Sequence, residues 1–214
     1  MPDRTLRQSP LERFGLRARQ AAAPHDAAIR CWEAAFLGHI NLRGDAGEPQ
    51  FASAIESVLG AGLPTTPNTT GGGRGITIYW LGPDEWLIVT SGERERDIAT
   101  ELRAALGAIF SAVTELGGGQ TVVVLRGAAV RELLAKACPL DFHPRSFPAG
   151  TCAQSRLAKA PVLLRPLDED GAFEIVIRRS FADYFWLWLE DAAAEYGLCV
   201  GPEAITPRPS QVPT

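Results

Sequence analysis

The pattern of hydrophobic and polar positions predicts a βαββαβ series in the first half of the chain. Short runs of β-favouring residues occur at 36–42, 76–81, 86–90 and 109–116. Between them, apolar residues recur at the 3.6-residue spacing of amphipathic helices, over 51–60 and 98–106. This order of strands and helices is that of a ferredoxin-like module.

A second series follows a turn at Gly117–Gly119. It comprises a strand at 121–125, a helix at 130–137, strands at 152–157, 161–167 and 173–177, and a final helix from Ser180. Arg43-Gly44 and Arg126-Gly127 lie between the first strand and the first helix of each series, although such junctions are common enough for coincidence. The sequence therefore predicts an α+β fold of two ferredoxin-like modules.

The two predicted modules occupy residues 26–116 and 117–200. Residues 1–25 are a basic lead-in segment, in which Ser9-Pro10-Leu11-Glu12 has the capping serine and the early proline that start a short helix. Residues 201–214 are a tail too rich in proline for regular structure.

The final helix carries the candidate subunit interface. At 100° per residue, Phe181, Phe185 and Trp188 share one face, which is predicted to pack on the core. Trp186 and Leu187 lie on the opposite, polar side. Because a monomer seldom exposes a Trp and a Leu together, we predict that they contact a partner subunit. The alternative is that another segment of the chain, such as the N-terminal one, covers them.

Arg178 and Arg179 immediately precede this helix and complete the candidate interface. Neighbouring strand residues point to opposite faces of a sheet, so only one of the two is free to point outward. Contact with an anion or a carboxylate is one interpretation. A salt bridge to a neighbouring chain or strand is an equally good interpretation.

Composition places the chain among ordinary globular proteins. Apolar residues make up 46% and charged residues 21% of its 214 residues. The formal net charge of −4 gives no reason to expect nucleic acid or an anionic membrane as a partner. No apolar run approaches the length of a membrane span, and the N-terminus lacks the apolar stretch of a secretory signal. We therefore expect a cytoplasmic protein without a membrane partner.

Glycine-rich and cysteine-containing segments do not predict a catalytic, cofactor-binding or metal site. Gly71–Gly75 is followed by a β-rich run and lacks the lysine of a phosphate-binding loop, so a flexible loop is favoured. Cys138, Asp141, His143 and Cys152 are spaced too loosely for a typical structural zinc site. Ordinary thiols and a solvated histidine are the favoured interpretation.

Several segments resemble the gamma subunits of heterotetrameric bacterial sarcosine oxidase. They lie at 36–44, 63–69, 80–87, 138–141, 148–152 and 178–184. The stretches WLGPDEW, from Trp80, and RRSFADY, from Arg178, are the most specific. The resemblance covers about residues 36–199.

That family is similar in fold to the folate-binding region of aminomethyltransferases, the T-protein of glycine cleavage. The resemblance implies a complex that oxidatively demethylates sarcosine to glycine and reduces oxygen to hydrogen peroxide. With tetrahydrofolate present, the one-carbon unit leaves as methylenetetrahydrofolate. The resemblance assigns FAD, FMN, NAD, zinc and tetrahydrofolate to the partner subunits alpha, beta and delta.

We therefore expect this chain to be a non-catalytic assembly subunit without a cofactor of its own. A stand-alone folate-binding aminomethyltransferase-like protein is the first alternative. A cysteine-based redox or metal protein is the second.

Overall fold

The computed structural model describes residues 7–20 and 27–201. In these residues, the helices and strands in chain order are α1 (Leu16–Gln20), β1 (Ile29–Ala34), β2 (Leu37–Arg43), α2 (Pro49–Leu59), β3 (Thr70–Gly73), β4 (Ile76–Gly82), β5 (Glu85–Ser91), α3 (Glu95–Leu106), β6 (Ala112–Glu115), β7 (Gln120–Arg126), α4 (Val130–Ala135), β8 (Ala153–Leu157), β9 (Ala160–Pro166), β10 (Phe173–Arg178), α5 (Arg179–Ala193) and β11 (Leu198–Val200). Short 3₁₀ turns lie at Glu12–Phe14 and Gly117–Gly119. The predicted lead-in and tail fall partly outside the described residues.

The first module forms a five-stranded antiparallel sheet. Its strand order is β3-β4-β5-β2-β6. The first strand of the module, β2, therefore lies between β5 and the last strand, β6. The helix α2 leads from β2 towards β3 and β4, and α3 leads from β5 to β6. This order confirms the predicted ferredoxin-like series, with β3 added at the edge.

The second module repeats that strand order in a six-stranded sheet, β11-β1-β7-β10-β9-β8. Its extra edge strand is β8, and β1 is inserted between the first strand, β7, and the last, β11. The inserted strand runs antiparallel to β7 and parallel to β11. Although β1 lies within residues 26–116, which were predicted as the first module, it pairs in the second sheet. The reason is that its buried residues Ile29 and Cys31 pack in the second module's core.

The two sheets lie face to face, with helices on both outer sides. Because alternate strand residues point to opposite faces, β2 directs Ile40 and Leu42 towards α2 and α3 and directs His39 and Asn41 towards the other sheet. On the far side, α4 and α5 cover the outer face of the six-stranded sheet. The buried core between the inner faces comprises Tyr79, Leu87, Val89, Val122, Val124, Cys152, Leu163 and Val176.

The matching glycines after β2 and β7 are required for close approach. A Cβ on Gly44 would lie 2.3 Å from the Phe51 ring of α2. A Cβ on Gly127 would lie 2.1 Å from the carbonyl oxygen of Ala28, and Gly127 also has a φ of +137°. Both modules therefore need glycine where the first strand meets the following segment.

Residues 7–20 pack against α5. Leu11 is fully buried, and the Phe14 ring centroid lies 5.9 Å from that of Trp186. The Arg19 guanidinium lies 5.9 Å from the centroid of the same indole and also pairs with Glu190 of α5. The predicted short N-terminal segment therefore docks on its own chain.

This docking corrects the prediction for Trp186. Trp186 is 0% exposed because the N-terminal segment covers it, so it is a core residue rather than an exposed interface residue. Its neighbour Leu187 is 54% exposed. The buried face of α5 includes Phe185 as predicted, whereas Trp188 is only half-buried.

Candidate functional site

One row of residues crosses four neighbouring strands at the end of the inner face of the six-stranded sheet. Gln120 of β7 pairs with Arg178 of β10, and Arg156 of β8 pairs with Pro161 of β9. The register of β10 with β9 brings Pro161 next to Arg178. Directly paired residues of antiparallel strands point to the same face, so this row shares one face. Strands lie about 4.8 Å apart, which makes the row about 14 Å long.

The two sheets diverge at this row and enclose an open cleft of about 780 Å³, which we call the inter-sheet cleft. It reaches β6, which is an edge strand of the five-stranded sheet, and β8, which is an edge strand of the six-stranded sheet. Its volume lies in the range of ligand-binding clefts. Its apolar walls are formed by Leu81, Leu87, Leu116, Leu163 and Val176.

The inter-sheet cleft carries positive charge that no acidic side chain of the described residues neutralises. Arg156 and Arg178 are exposed along it, and neither guanidinium has a hydrogen bond or an ion pair within residues 7–20 and 27–201. Across the cleft, Glu85 accepts hydrogen bonds from Asn41 Nδ2 at 2.8 Å and from Arg43 Nη2 at 3.0 Å. Glu85 therefore pairs with Arg43 and not with Arg156 or Arg178, and these two guanidinium groups are available for an anion.

Gln120 adds an unsatisfied group next to Arg178. Its Oε1 atom is buried and has no hydrogen-bond partner in the described part of the chain. A buried amide group without a partner costs free energy, and a flipped amide would leave its NH₂ group in the same position.

Further into the interface, a polar network joins the two sheets. Arg165 of β9 pairs with Glu174 of β10 through two contacts, Nη2–Oε2 at 3.1 Å and Nε–Oε1 at 3.3 Å. Its Nη2 also donates to Thr77 Oγ1 at 3.2 Å, and the Tyr79 hydroxyl donates to Glu174. Burial, together with the nearby Glu174 carboxylate, raises the pKa of Tyr79 well above its ordinary value. The network is a structural link with satisfied polar groups.

His39 is buried between the two sheets, and its side chain is neutral. Neither ring nitrogen has a hydrogen-bond partner among the described residues. Burial lowers the pKa of His39 to about 4, so the imidazole is uncharged at neutral pH. His39 does not line the inter-sheet cleft and therefore does not supply a base there.

The residues considered for a metal site are separated by the fold. Cys138 packs in the core on the helix side of the six-stranded sheet, whereas Cys152 packs between the sheets. Asp141 accepts hydrogen bonds from Ser146 Oγ at 2.6 Å and from the His143 backbone nitrogen at 2.9 Å. Within residues 7–20 and 27–201, no group of three or more metal-ligating side chains is brought together.

Two of the thiols are held in the protonated form by their surroundings. Burial raises the pKa of Cys31 to about 12 and that of Cys152 to about 11. The thiolate is the reactive species, so both side chains are unreactive at neutral pH.

The predicted interface residues do not form one surface. Arg178 lines the inter-sheet cleft, whereas Arg179 begins α5 and donates to the Gln8 carbonyl oxygen at 3.3 Å. Leu187 is exposed on α5, and Trp186 is buried beneath residues 7–20. The described helices include none that is both long and apolar enough to cross a membrane.

The two face-to-face ferredoxin-like modules define an α+β protein with the fold found in aminomethyltransferases. The structure of glycine cleavage system aminomethyltransferase T from Bartonella henselae matches with a TM-score of 0.58 and 13% identity, over 82% of this chain and 48% of that chain. At that identity the likeness concerns the fold alone, and it confirms the predicted fold class.

The chain belongs to the sarcosine oxidase, gamma subunit family, whose model matches residues 43–195. A sarcosine oxidase subunit gamma from Corynebacterium sp. (strain P-1) is 35% identical over 193 residues, which cover 90% of this chain and 92% of the relative. The heterotetrameric sarcosine oxidase from Corynebacterium sp. U-96, solved in complex with pyrrole 2-carboxylate, contains a chain that matches with a TM-score of 0.80. That match has 32% identity and covers 93% of this chain and 100% of that chain.

Proposed function

We propose that this chain is a non-catalytic gamma subunit of a heterotetrameric sarcosine oxidase and supports the assembly of that complex. The observation that carries the proposal is the match, over nearly the whole chain, to a chain of a solved heterotetrameric sarcosine oxidase. The assembled complex would demethylate sarcosine oxidatively to glycine and reduce oxygen to hydrogen peroxide. With tetrahydrofolate it would release methylenetetrahydrofolate.

In this proposal the chemistry belongs to the partner chains. The partners are the alpha, beta and delta subunits, which hold FAD, FMN, NAD, zinc and tetrahydrofolate. The placement of the reactive side chains supports this division. His39 and Cys152 are buried between the sheets, as a neutral imidazole and a protonated thiol, outside the set of residues that line the cleft.

A stand-alone folate-binding aminomethyltransferase-like protein is the less favoured function. The chain matches only about half of the length of aminomethyltransferase T, with 13% identity. By contrast, it spans almost the entire length of the gamma-subunit relatives. The extent of the match therefore favours the assembly subunit.

The proposal is tested by producing the chain alone and together with the three other sarcosine oxidase chains of the same organism. Alone, the chain is expected to be colourless and to form no peroxide from sarcosine. Together, the four chains are expected to elute as one complex with sarcosine-dependent peroxide formation. Flavin absorbance or peroxide formation from the isolated chain, or its failure to elute with the other three, would contradict the proposal.

A further inference from the structure

We infer that the inter-sheet cleft is the docking site for an extended acidic segment of a partner chain. The inference rests on the proposed function as an assembly subunit, and it adds the surface and the chemistry of the contact. Three features of the cleft carry it: two arginines without a partner among the described residues, the amide beside them and the shape of the cleft.

The charges define the chemistry of the partner. The chain as a whole has a formal net charge of −4, yet Arg156 and Arg178 line the cleft without an acidic partner among the described residues. They are two strands apart in one row, so their Cα atoms are separated by about 10 Å. Guanidinium groups bind carboxylates through paired hydrogen bonds. Two Asp or Glu side chains of one segment can therefore each meet an arginine.

The amide beside Arg178 adds a polar group to the row. Gln120 lies next to Arg178 and lines the cleft. The backbone N–H and C=O groups of an extended segment can pair with either end of an amide, whereas a carboxylate pairs only with the NH₂ end. An extended peptide can therefore contact the glutamine as well as the arginines.

The shape of the cleft fits an extended segment. The row from Gln120 to Arg156 is about 14 Å long, which is the length of about four residues of extended chain. The cleft reaches an edge strand of each sheet, β6 and β8, so a chain that crosses it can enter and leave. Its apolar walls accept the side chains that alternate with the acidic ones.

The test is charge reversal in the assembled complex. The double variant Arg156→Glu/Arg178→Glu is compared with Arg96→Glu/Arg145→Glu, which makes the same charge change at two exposed arginines that do not line the cleft. Affinity for the other three sarcosine oxidase chains is measured by biolayer interferometry. We expect the cleft variant to bind at least about tenfold more weakly than wild type, because repulsion replaces a close charge pair. The control is expected to bind within about twofold of wild type.

Several outcomes decide between the possibilities. Equal affinity of the cleft variant and wild type would overturn the inference, whereas a wild-type chain that does not bind the other chains would overturn the proposed function. Citrate is the probe for a small-molecule site. If it stabilises the isolated wild type but not the cleft variant, and association is unchanged, the cleft holds a small anion and the inference is wrong. If charge reversal unfolds the chain, Arg156→Gln/Arg178→Gln provides the same comparison.

Discussion

Arginine side chains are paired in the middle of the contact between the two sheets, but at the end of this contact, where the cleft lies, they have no partner among the described residues. In the middle, Arg165 is held by both oxygens of Glu174 and by Thr77. At the end, Arg178 lies on the same strand as Glu174, yet neither it nor Arg156 has a partner in the described residues. Both places have charged side chains on one face of one sheet.

The difference follows from contact between the sheets. Where the sheets touch, water is excluded, so an unpaired charge would cost several kcal/mol and each polar group needs a partner. Where the sheets diverge, Arg156 and Arg178 are exposed, so water solvates their guanidinium groups and no partner is needed among the described residues. The Arg165–Glu174 network in the middle therefore holds the two modules together, whereas the inter-sheet cleft at the end is available to bind a partner chain.

The largest effect is expected from Glu174→Ala in the middle. This change leaves Arg165, whose side chain is 21% exposed, without its carboxylate and removes the acceptor of the Tyr79 hydroxyl. Breaking a largely buried ion pair from one side typically costs ~3 kcal/mol. Urea unfolding of the isolated variant should show that loss in the free energy of unfolding.

Glu85→Ala at the end of the interface is the matched control. Glu85 and Arg43 form an exposed pair, with side chains 31% and 54% exposed, and such pairs contribute about 1 kcal/mol or less. If Glu85→Ala destabilised the chain as much as Glu174→Ala, the contrast between the two regions would not hold.

A smaller effect is expected from protonation of His39. Burial lowers its pKa to about 4 in the folded chain, from the ordinary value of 6.5 that applies in the unfolded chain. As the pH falls below 6.5, the unfolded state binds a proton that the folded state excludes, so stability is greatest above 6.5 and decreases below it. At 1.36 kcal/mol per pH unit, the loss between pH 6.5 and 5 is about 2 kcal/mol.

Urea titrations at several pH values measure this loss. His39→Leu should remove it, because the leucine side chain cannot bind a proton. An unchanged pH dependence in His39→Leu would show that the middle of the interface is hydrated and that the contrast with the end is smaller than we infer.

The ferredoxin-like series could be predicted because its helices are amphipathic and its strands are bounded by turns. Phe51, Ile55 and Leu59 show the helical spacing directly and are all buried. The strand β1 was missed, because its place depends on pairing with β7 and β11, which are distant in the sequence. Local periodicity carries no information about such pairing.

The candidate site was predictable only in part, for the same reason. The position of Leu187 on the exposed side of α5 followed from helical spacing, whereas the burial of Trp186 depends on contacts with Phe14 and Arg19. Arg178 could be singled out beside the last helix. The alignment of Arg178 with Gln120 and Arg156 in one row could not be predicted, because tertiary packing sets the register between β7, β8, β9 and β10.

The smallest effect is expected from Arg178→Ala and Arg156→Ala in the isolated chain. Because both side chains are exposed and have no partner within residues 7–20 and 27–201, each change should alter the free energy of unfolding by no more than about 0.5 kcal/mol. Arg165→Ala is the matched arginine in the middle, and it should cost several times more since it leaves Glu174 partly buried without its cation. Urea unfolding of the three variants under one set of conditions gives the comparison. A loss above about 1 kcal/mol in Arg178→Ala would mean that its guanidinium is already bound within the chain, and the end of the interface would then resemble the middle.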